Sequence, residues 1–295
     1  MVMIFGVPAP LLLGQILLGL INGAFYAMLS LGLAIIFGML NIINFAHGAL
    51  FMAGAFVAWM LLHYIGIGFF PALVLVPVIV GAFGVLMERT IIAPLYKIDP
   101  IYGLLLTFGV ALVIEGLFRN AYGSAGLPYG IPALLSGGAQ LGFMFLPTYR
   151  GFVVLAAVIV CFATWAIIEK TRLGATLRAA TENAPLVRAF GINVPRMITL
   201  TFAGGVALAG FAGVLAAPIY SVNPDMGENF IIIVFAVVVI GGMGSILGSI
   251  VTGFALGVIQ GLTSVFYPQG AEMVIFLVMA LVLLILPRGL FGKVA

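Results

Sequence analysis

Residues 151–168 read GFVVLAAVIVCFATWAII, and residues 169–196 directly after them read EKTRLGATLRAATENAPLVRAFGINVPR. The first string carries no charge and approaches the roughly 20 apolar residues that a helix needs to cross hydrocarbon. The second carries Glu169, Lys170, Arg172, Arg178, Glu182, Arg188 and Arg196. An uncharged run that switches abruptly to a basic segment reads as a helix leaving the bilayer on its positively charged, cytoplasmic side.

The rest of the chain repeats the first string more often than the second. Of 295 residues, 64% are hydrophobic and 6% charged, against about 25% charged in soluble domains. A surface that poor in charge cannot stay in water, so lipid is part of the solvent. Apolar runs lie at 11–39, 45–65, 70–90, 101–119, 151–168, 197–218, 229–243, 246–265 and 271–287. The seventh and eighth meet at Gly241-Gly242-Met243-Gly244-Ser245, so eight spans with a re-entrant break and nine separate spans both fit. The expected fold is an all-α polytopic membrane protein in one transmembrane domain, 1–295, with 169–196 as a loop within it. The net charge of +3 does not point to nucleic acid, because the basic residues sit in short inter-helix segments. Cys161 is alone in an apolar run, which excludes disulfide and zinc chemistry. The apolar N-terminus lacks a basic flank and reads as the approach to the first span, not a signal peptide.

Nine spans reconcile the charges. Lys170, Arg172, Arg178, Arg188 and Arg196 fall inside together, as do Arg89, Lys97, Arg288 and Lys293, with the N-terminus outside and the C-terminus inside. Arg119, Arg150, Asp225 and Glu228 fall outside. Glycines repeat every four residues at Gly253, Gly257 and Gly261, at Gly244 and Gly248, and at Gly19 and Gly23, a spacing that lets helix backbones approach in lipid.

Ionisable residues within the spans are few, and each has a bland reading. Glu115 stands four residues before Arg119, the spacing of a local helix pair. Glu88 and Arg89 end one span, Glu272 begins another, and His63 sits near an interface. Asn41-Ile42-Ile43-Asn44-Phe45-Ala46-His47-Gly48 admits two readings. It is either a polar turn between spans or a broken helix whose backbone and side chains, Asn41, Asn44 and His47 among them, touch a solute.

Chemistry of the chain's own is not visible. Gly242, Gly244 and Gly248 lack the lysine and hydroxyl of a phosphate-binding loop, and no zinc-protease or nucleophile-elbow pattern occurs. No metal site is expected. A self-sufficient ion-coupled transporter needs an ionisable site at membrane depth, and an integral membrane enzyme needs a catalytic cluster. Neither stands out.

The basic loop has the pattern of short helices. Residues 175–182 are good helix formers, with Arg178 and Glu182 spaced as an i, i+4 pair. Pro185 suits the first turn of a second helix starting near Asn183 or Ala184, and Gly191 suits its left-handed stop. Leu177, Leu186, Val187 and Phe190 give the pair an apolar side. Such a hairpin fits a protein groove better than anionic headgroups, because helix breakers interrupt its arginines.

Four blocks then carry a resemblance over nearly the whole chain: residues 44–48 (NFAHG), Gly174 with Arg178-Ala179 and Glu182-Asn183, residues 191–194 (GINV), and residues 239–245 (VIGGMGS). In order and spacing they resemble the permease subunits of branched-chain amino acid ABC importers, the first of the two permeases in such systems. The resemblance implies an ABC importer permease fold in a bacterial inner membrane. It implies a second homologous permease, two cytoplasmic ATP-binding subunits that use ATP and magnesium, and an extracytoplasmic solute-binding protein; the chain itself would hold no cofactor. It makes Gly174, Leu177, Arg178, Ala179, Glu182, Asn183, Pro185 and Arg188 the ATPase-coupling segment. Asn41, Asn44, His47, Gly241, Gly242 and Gly244 become the substrate-pathway candidates. Branched-chain amino acids are the expected solute; members of this family that import urea, short amides or other amino acids leave the alternative open.

Overall fold

The computed structural model describes residues 3–4, 7–40, 42–142 and 144–292. Eleven α-helices follow one another among them: α1 (Ala9–Leu40), α2 (Ala46–Met60), α3 (Phe69–Met87), α4 (Pro100–Tyr122), α5 (Thr148–Lys170), α6 (Arg172–Glu182), α7 (Ala184–Ala189), α8 (Val194–Tyr220), α9 (Met226–Gly241), α10 (Ile246–Phe266) and α11 (Met273–Ile285). Seven segments are long and apolar enough to cross a membrane, among them Ala46–Ile65, in which a wide turn at Leu61–Ile65 extends α2, and Phe69–Tyr96, in which two short turns extend α3; α9 and α11 are shorter apolar helices. All nine expected segments therefore form helices. The block at 241–245 is a turn joining two of them, not a kink within one span. The protein is a multi-pass membrane protein.

Local chemistry sets the boundaries. Asp99 caps α4, accepting the Ile101 N–H at 3.0 Å, with Pro100 at the first helical position, where a missing N–H costs nothing. Outside the helices, an antiparallel hairpin pairs Gly138–Gln140 with Phe145–Pro147, and a bridge joins Leu127 to Val222. Both lie on the face remote from residues 169–196, hereafter the far face; the other is the loop face.

The core is built around α1, α2 and α8. Helix α1 crosses α10 through a seam of bare backbone: a Cβ on Gly257 would stand 2.3 Å from the Gly19 carbonyl oxygen, and one on Gly23 would stand 3.0 Å from Phe254 Cα. The expected small-residue packing is what forms. Helix α8 lies against α2 in the same manner, with Gly213 on the Phe51 carbonyl and Gly54 on Gly210. Phe25, Phe51, Tyr220 and Phe230 fill the space between with edge-on and tilted ring contacts.

Two ion-pair expectations are corrected. Arg119 does not pair with Glu115 on its own helix but with Asp225 at the start of α9; the longer-range partner completes a bridge between two helices. Arg178 does not pair with Glu182; its Nη1 reaches back to Glu169 Oε2 at 3.1 Å, because α6 folds against the end of α5. Glu88 is no simple span terminus either. It is buried, accepting hydrogen bonds from Tyr96 at 2.5 Å and Thr199 at 2.8 Å, and so ties the end of α3 to α8. The Lys293 position lies outside the described residues.

Candidate functional site

The candidate residues gather in two places. The first is the hairpin of α6 and α7 on the loop face. Thr171 adopts an extended conformation (φ −109°, ψ 164°) between α5 and α6, so the chain turns sharply there. Gly174 then presses on the turn it has just left: a Cβ would stand 1.6 Å from the Ile168 carbonyl oxygen. No side chain fits. Arg178 fastens the corner, donating to that same carbonyl at 2.9 Å as well as to Glu169. Its guanidinium thus meets the free carbonyl end of α5, where a helix carries partial negative charge.

Asn183 ends α6 and caps α7, accepting the Leu186 N–H at 3.0 Å, and Pro185 occupies the first turn. Gly191 follows at φ 81°, the left-handed stop expected. Asn193 caps α8 by accepting the Arg196 N–H at 3.1 Å. Ala180, Val187 and Val194 form a small buried cluster of their own under these turns. The hairpin is a built object with its own core. Its outer side carries exposed Ala179 and Arg188 beside Leu173, 66% exposed, Leu186, 53% exposed, and Phe190, 77% exposed.

Its inner side overlooks a cavity of about 440 Å³. Leu177, Arg178 and Glu182 form one wall, Gly38 and Met39 at the end of α1 another, and Met243, Gly244 and Ser245 the third. Gly244 packs on Gly38, while Gly241 and Gly242 pack on Gly248 and on the segment at Gly292. That segment is held by backbone bonds, Leu290 N–H to Ile240 at 2.8 Å and Phe291 N–H to Gly241 at 3.1 Å. Gly242 sits at φ 97°, where a side chain is strained. The glycine block therefore stands beside the α6–α7 hairpin, across the cavity from it, and apart from Asn44 and His47.

The second place is inside the bundle. With its proton on Nε2, His47 donates to the Leu29 carbonyl at 3.1 Å and lies against Gly32. Leu29 and Gly32 are roughly 12–16 Å back along α1 from Leu40, at 1.5 Å per residue. Residues 42–45 thus run back into the bundle, and α2 begins at depth. His47 and Asn44 are both buried; His47 Nδ1 and both amide atoms of Asn44 have no partner among the described residues. Polar atoms left open at membrane depth are costly. Asn41 lies outside the described residues.

Thr107 on α4 holds this segment and escaped sequence reasoning. Its hydroxyl donates toward the Ile43 carbonyl at 3.1 Å and accepts the Phe45 N–H at 3.1 Å. A threonine in an apolar helix reads from sequence as a hydroxyl bonded to its own preceding turn, which it also is, through Leu104 at 3.1 Å. Thr107→Val keeps the shape and strands the Phe45 N–H. The expected cost of about 1–3 kcal/mol lowers the melting temperature of purified protein by roughly 2–12 °C; an unchanged melting curve would remove the clamp.

Known proteins bear on both places. The chain is 30% identical to the high-affinity branched-chain amino acid transport system permease protein LivH of Escherichia coli, covering 95% of this chain and 96% of that one. It is 31% identical to the permease protein BraD of Pseudomonas aeruginosa over the same shares. It is also 29% identical to E. coli LivM, over 75% of this chain and 57% of LivM. No solved structure matches it. The family described as branched-chain amino acid transport system / permease component matches residues 15–286, which takes in the hairpin, the glycine block and the re-entrant segment alike: the chain belongs to that family of permeases.

Proposed function

We propose that this chain is the membrane-spanning permease subunit of an ATP-binding cassette importer for branched-chain or related hydrophobic amino acids. The observation that carries the reading is the hairpin of α6 and α7, a folded unit that leaves Leu173, Leu186 and Phe190 bare beside arginines. Outside hydrocarbon, bare apolar residues on a rigid element are the anchors of a protein interface. The partner is an ATP-binding subunit, one of two, that uses ATP and magnesium; the chain has no phosphate-binding loop of its own. This face is read as cytoplasmic and the membrane as a bacterial inner membrane, with the C-terminus on the same side, and the concentration of basic residues in the loop supports that orientation. A second, homologous permease completes the pathway, a pairing supported by the likeness to both LivH and LivM of one organism. An extracytoplasmic binding protein delivers the solute to the far face.

Nucleotide-driven movement of the ATP-binding subunits pushes α6. Through the Arg178 corner and the walls of the cavity it shifts α5, α1 and the turn at 243–245 together, and the permease pair alternates between its two openings. Replacing Leu173 and Phe190 with serine is expected to cut co-purification of the ATP-binding subunits about tenfold or more, as loss of interface anchors does, while the permease level in the membrane holds. Full co-purification of the double variant, or leucine uptake by this chain alone in liposomes without ATP, would sink the reading.

A further inference from the structure

Arg119's partnership with Asp225 leaves Glu115 alone. Its residue is 7% exposed, and no hydrogen bond or ion pair to its carboxylate occurs among the described residues. The charged groups that act on it are Glu228, Arg119 and Asp225, three acids with Glu115 included against one base that is already engaged. Its carboxylate opens on the cavity beside it, and a carboxylate that faces a cavity in a span without a partner is costly. Such a group persists where a cation visits it.

Glu115 lines a cavity of about 60 Å³ between α2, α4 and α9, together with Phe45, Gly48, Phe108, Gly227 and Glu228. The cavity is small and opens to the surface at Glu228, which is exposed, so a charged head group can enter it while the rest of a solute lies outside. Its floor is bare by necessity: a Cβ on Gly48 would stand 2.6 Å from the Gly227 carbonyl oxygen, and one on Gly227 would stand 2.5 Å from that of Gly48. Two carboxylates and the rings of Phe45 and Phe108, 6.3 Å apart, surround the space. Carboxylates bind ammonium by charge-assisted hydrogen bonds, and ring faces add cation–π attraction. An anion finds no donor side chain among the residues that line it. Glu115 lies roughly 22 Å along α4 from Pro100, in the half of the helix toward the far face. Beside it α4 and α9 present Leu112, 53% exposed, and Ile232, 52% exposed, an apolar flank along which an aliphatic side chain can lie.

We propose that Glu115 and Glu228 form a binding station for the ammonium group of a zwitterionic solute, in the entry half of the pathway. This rests on the importer reading. The station makes the permease itself, not only its binding protein, selective for amino acids over uncharged solutes of similar size.

The test uses the complete importer in proteoliposomes, with ATP inside and loaded binding protein outside, and follows radiolabelled leucine. Glu115→Gln is nearly isosteric and removes a buried charge, so it is expected to reach the membrane and co-purify with its partner subunits. Its leucine uptake is expected to fall about tenfold or more, as loss of a charge-assisted bond does, with Glu115→Asp recovering part of the rate. Uptake by Glu115→Gln at the wild-type rate overturns the station. So does failure of that variant to assemble, which makes the carboxylate structural, and so does a loss of wild-type uptake when choline replaces sodium and potassium, which makes the site one for an inorganic cation. If the wild-type importer itself takes up no leucine on ATP, the importer reading fails instead.

Discussion

Gly257→Leu is expected to eliminate folded protein from the membrane. The reason is geometric. The first carbon of any side chain at 257 falls 2.3 Å from the Gly19 carbonyl oxygen and 2.4 Å from Gly23 Cα. Both obstacles are backbone, so no rotamer change relieves them. Helix α1 must move away from α10, and the seam then forfeits dispersion attraction between the two backbones, the main force that joins helices in lipid. Gly257→Ala already meets the same atoms; overpacking of about 1–3 kcal/mol is expected to lower its melting temperature by roughly 2–12 °C. Leucine adds three more carbons to the same space. Gly116→Leu is the control, since nothing stands within 4 Å of a Cβ there. Detergent extraction followed by size-exclusion chromatography and a thermal melt measures all three. A Gly257→Leu protein that elutes and melts like the wild type would falsify the seam.

Arg178→Glu is expected to abolish uptake while leaving the permease in the membrane. In the wild type the guanidinium satisfies the Ile168 carbonyl at the end of α5 and sits against Glu169. Glutamate there offers a negative charge to a carbonyl, to the negative end of a helix and to a second carboxylate at once. Charge-assisted bonds contribute about 1.5–3 kcal/mol when dry; with both side chains about two-fifths exposed, solvent reduces that to the order of 1 kcal/mol. The damage to overall stability is therefore small. The damage to the corner is large, because Gly174 needs α6 pressed on Ile168, and among the described residues Arg178 is the α6 side chain that bonds to the end of α5. Transport-linked ATP hydrolysis in the complete importer is expected to fall about tenfold or more, the consequence of a coupling element out of register. Arg178→Lys keeps the charge and loses the fork, so an intermediate rate is expected. Wild-type uptake by the Arg178→Glu importer would mean that the α5–α6 corner transmits nothing.

These expectations divide by how far along the chain their causes lie. Asn183, Pro185 and Gly191 act on their own turns, and the helices they start and stop are legible in the sequence to within a residue or two. The small-residue spacing of Gly253, Gly257 and Gly261 announces a helix seam, though not that its partner is α1. Arg119 and Arg178 show where local reading fails. Each has an acid four residues away, the spacing that favours a pair on one helix, and each turns instead to a partner on another helix that packing brings close. The depth at which α2 begins is invisible for the same reason. Residues 42–45 look like any polar connection until the side chain of His47 is found beside Leu29. Thr107 and Glu115 gain their meaning only from what is, or is not, opposite them.

The seam between α1 and α10 also has a consequence in time. Gly23 and Phe254 touch across about 230 residues of chain, and a ribosome adding 5–20 residues per second takes on the order of 10–50 s to make that length. Throughout that interval the glycine groove of α1 lacks the helix that fills it. Helices inserted singly and joined later tolerate such a delay, but the groove stays open to any other small-residue helix that diffuses past. The permease therefore completes its core late, and the step most exposed to mispairing is the arrival of α10.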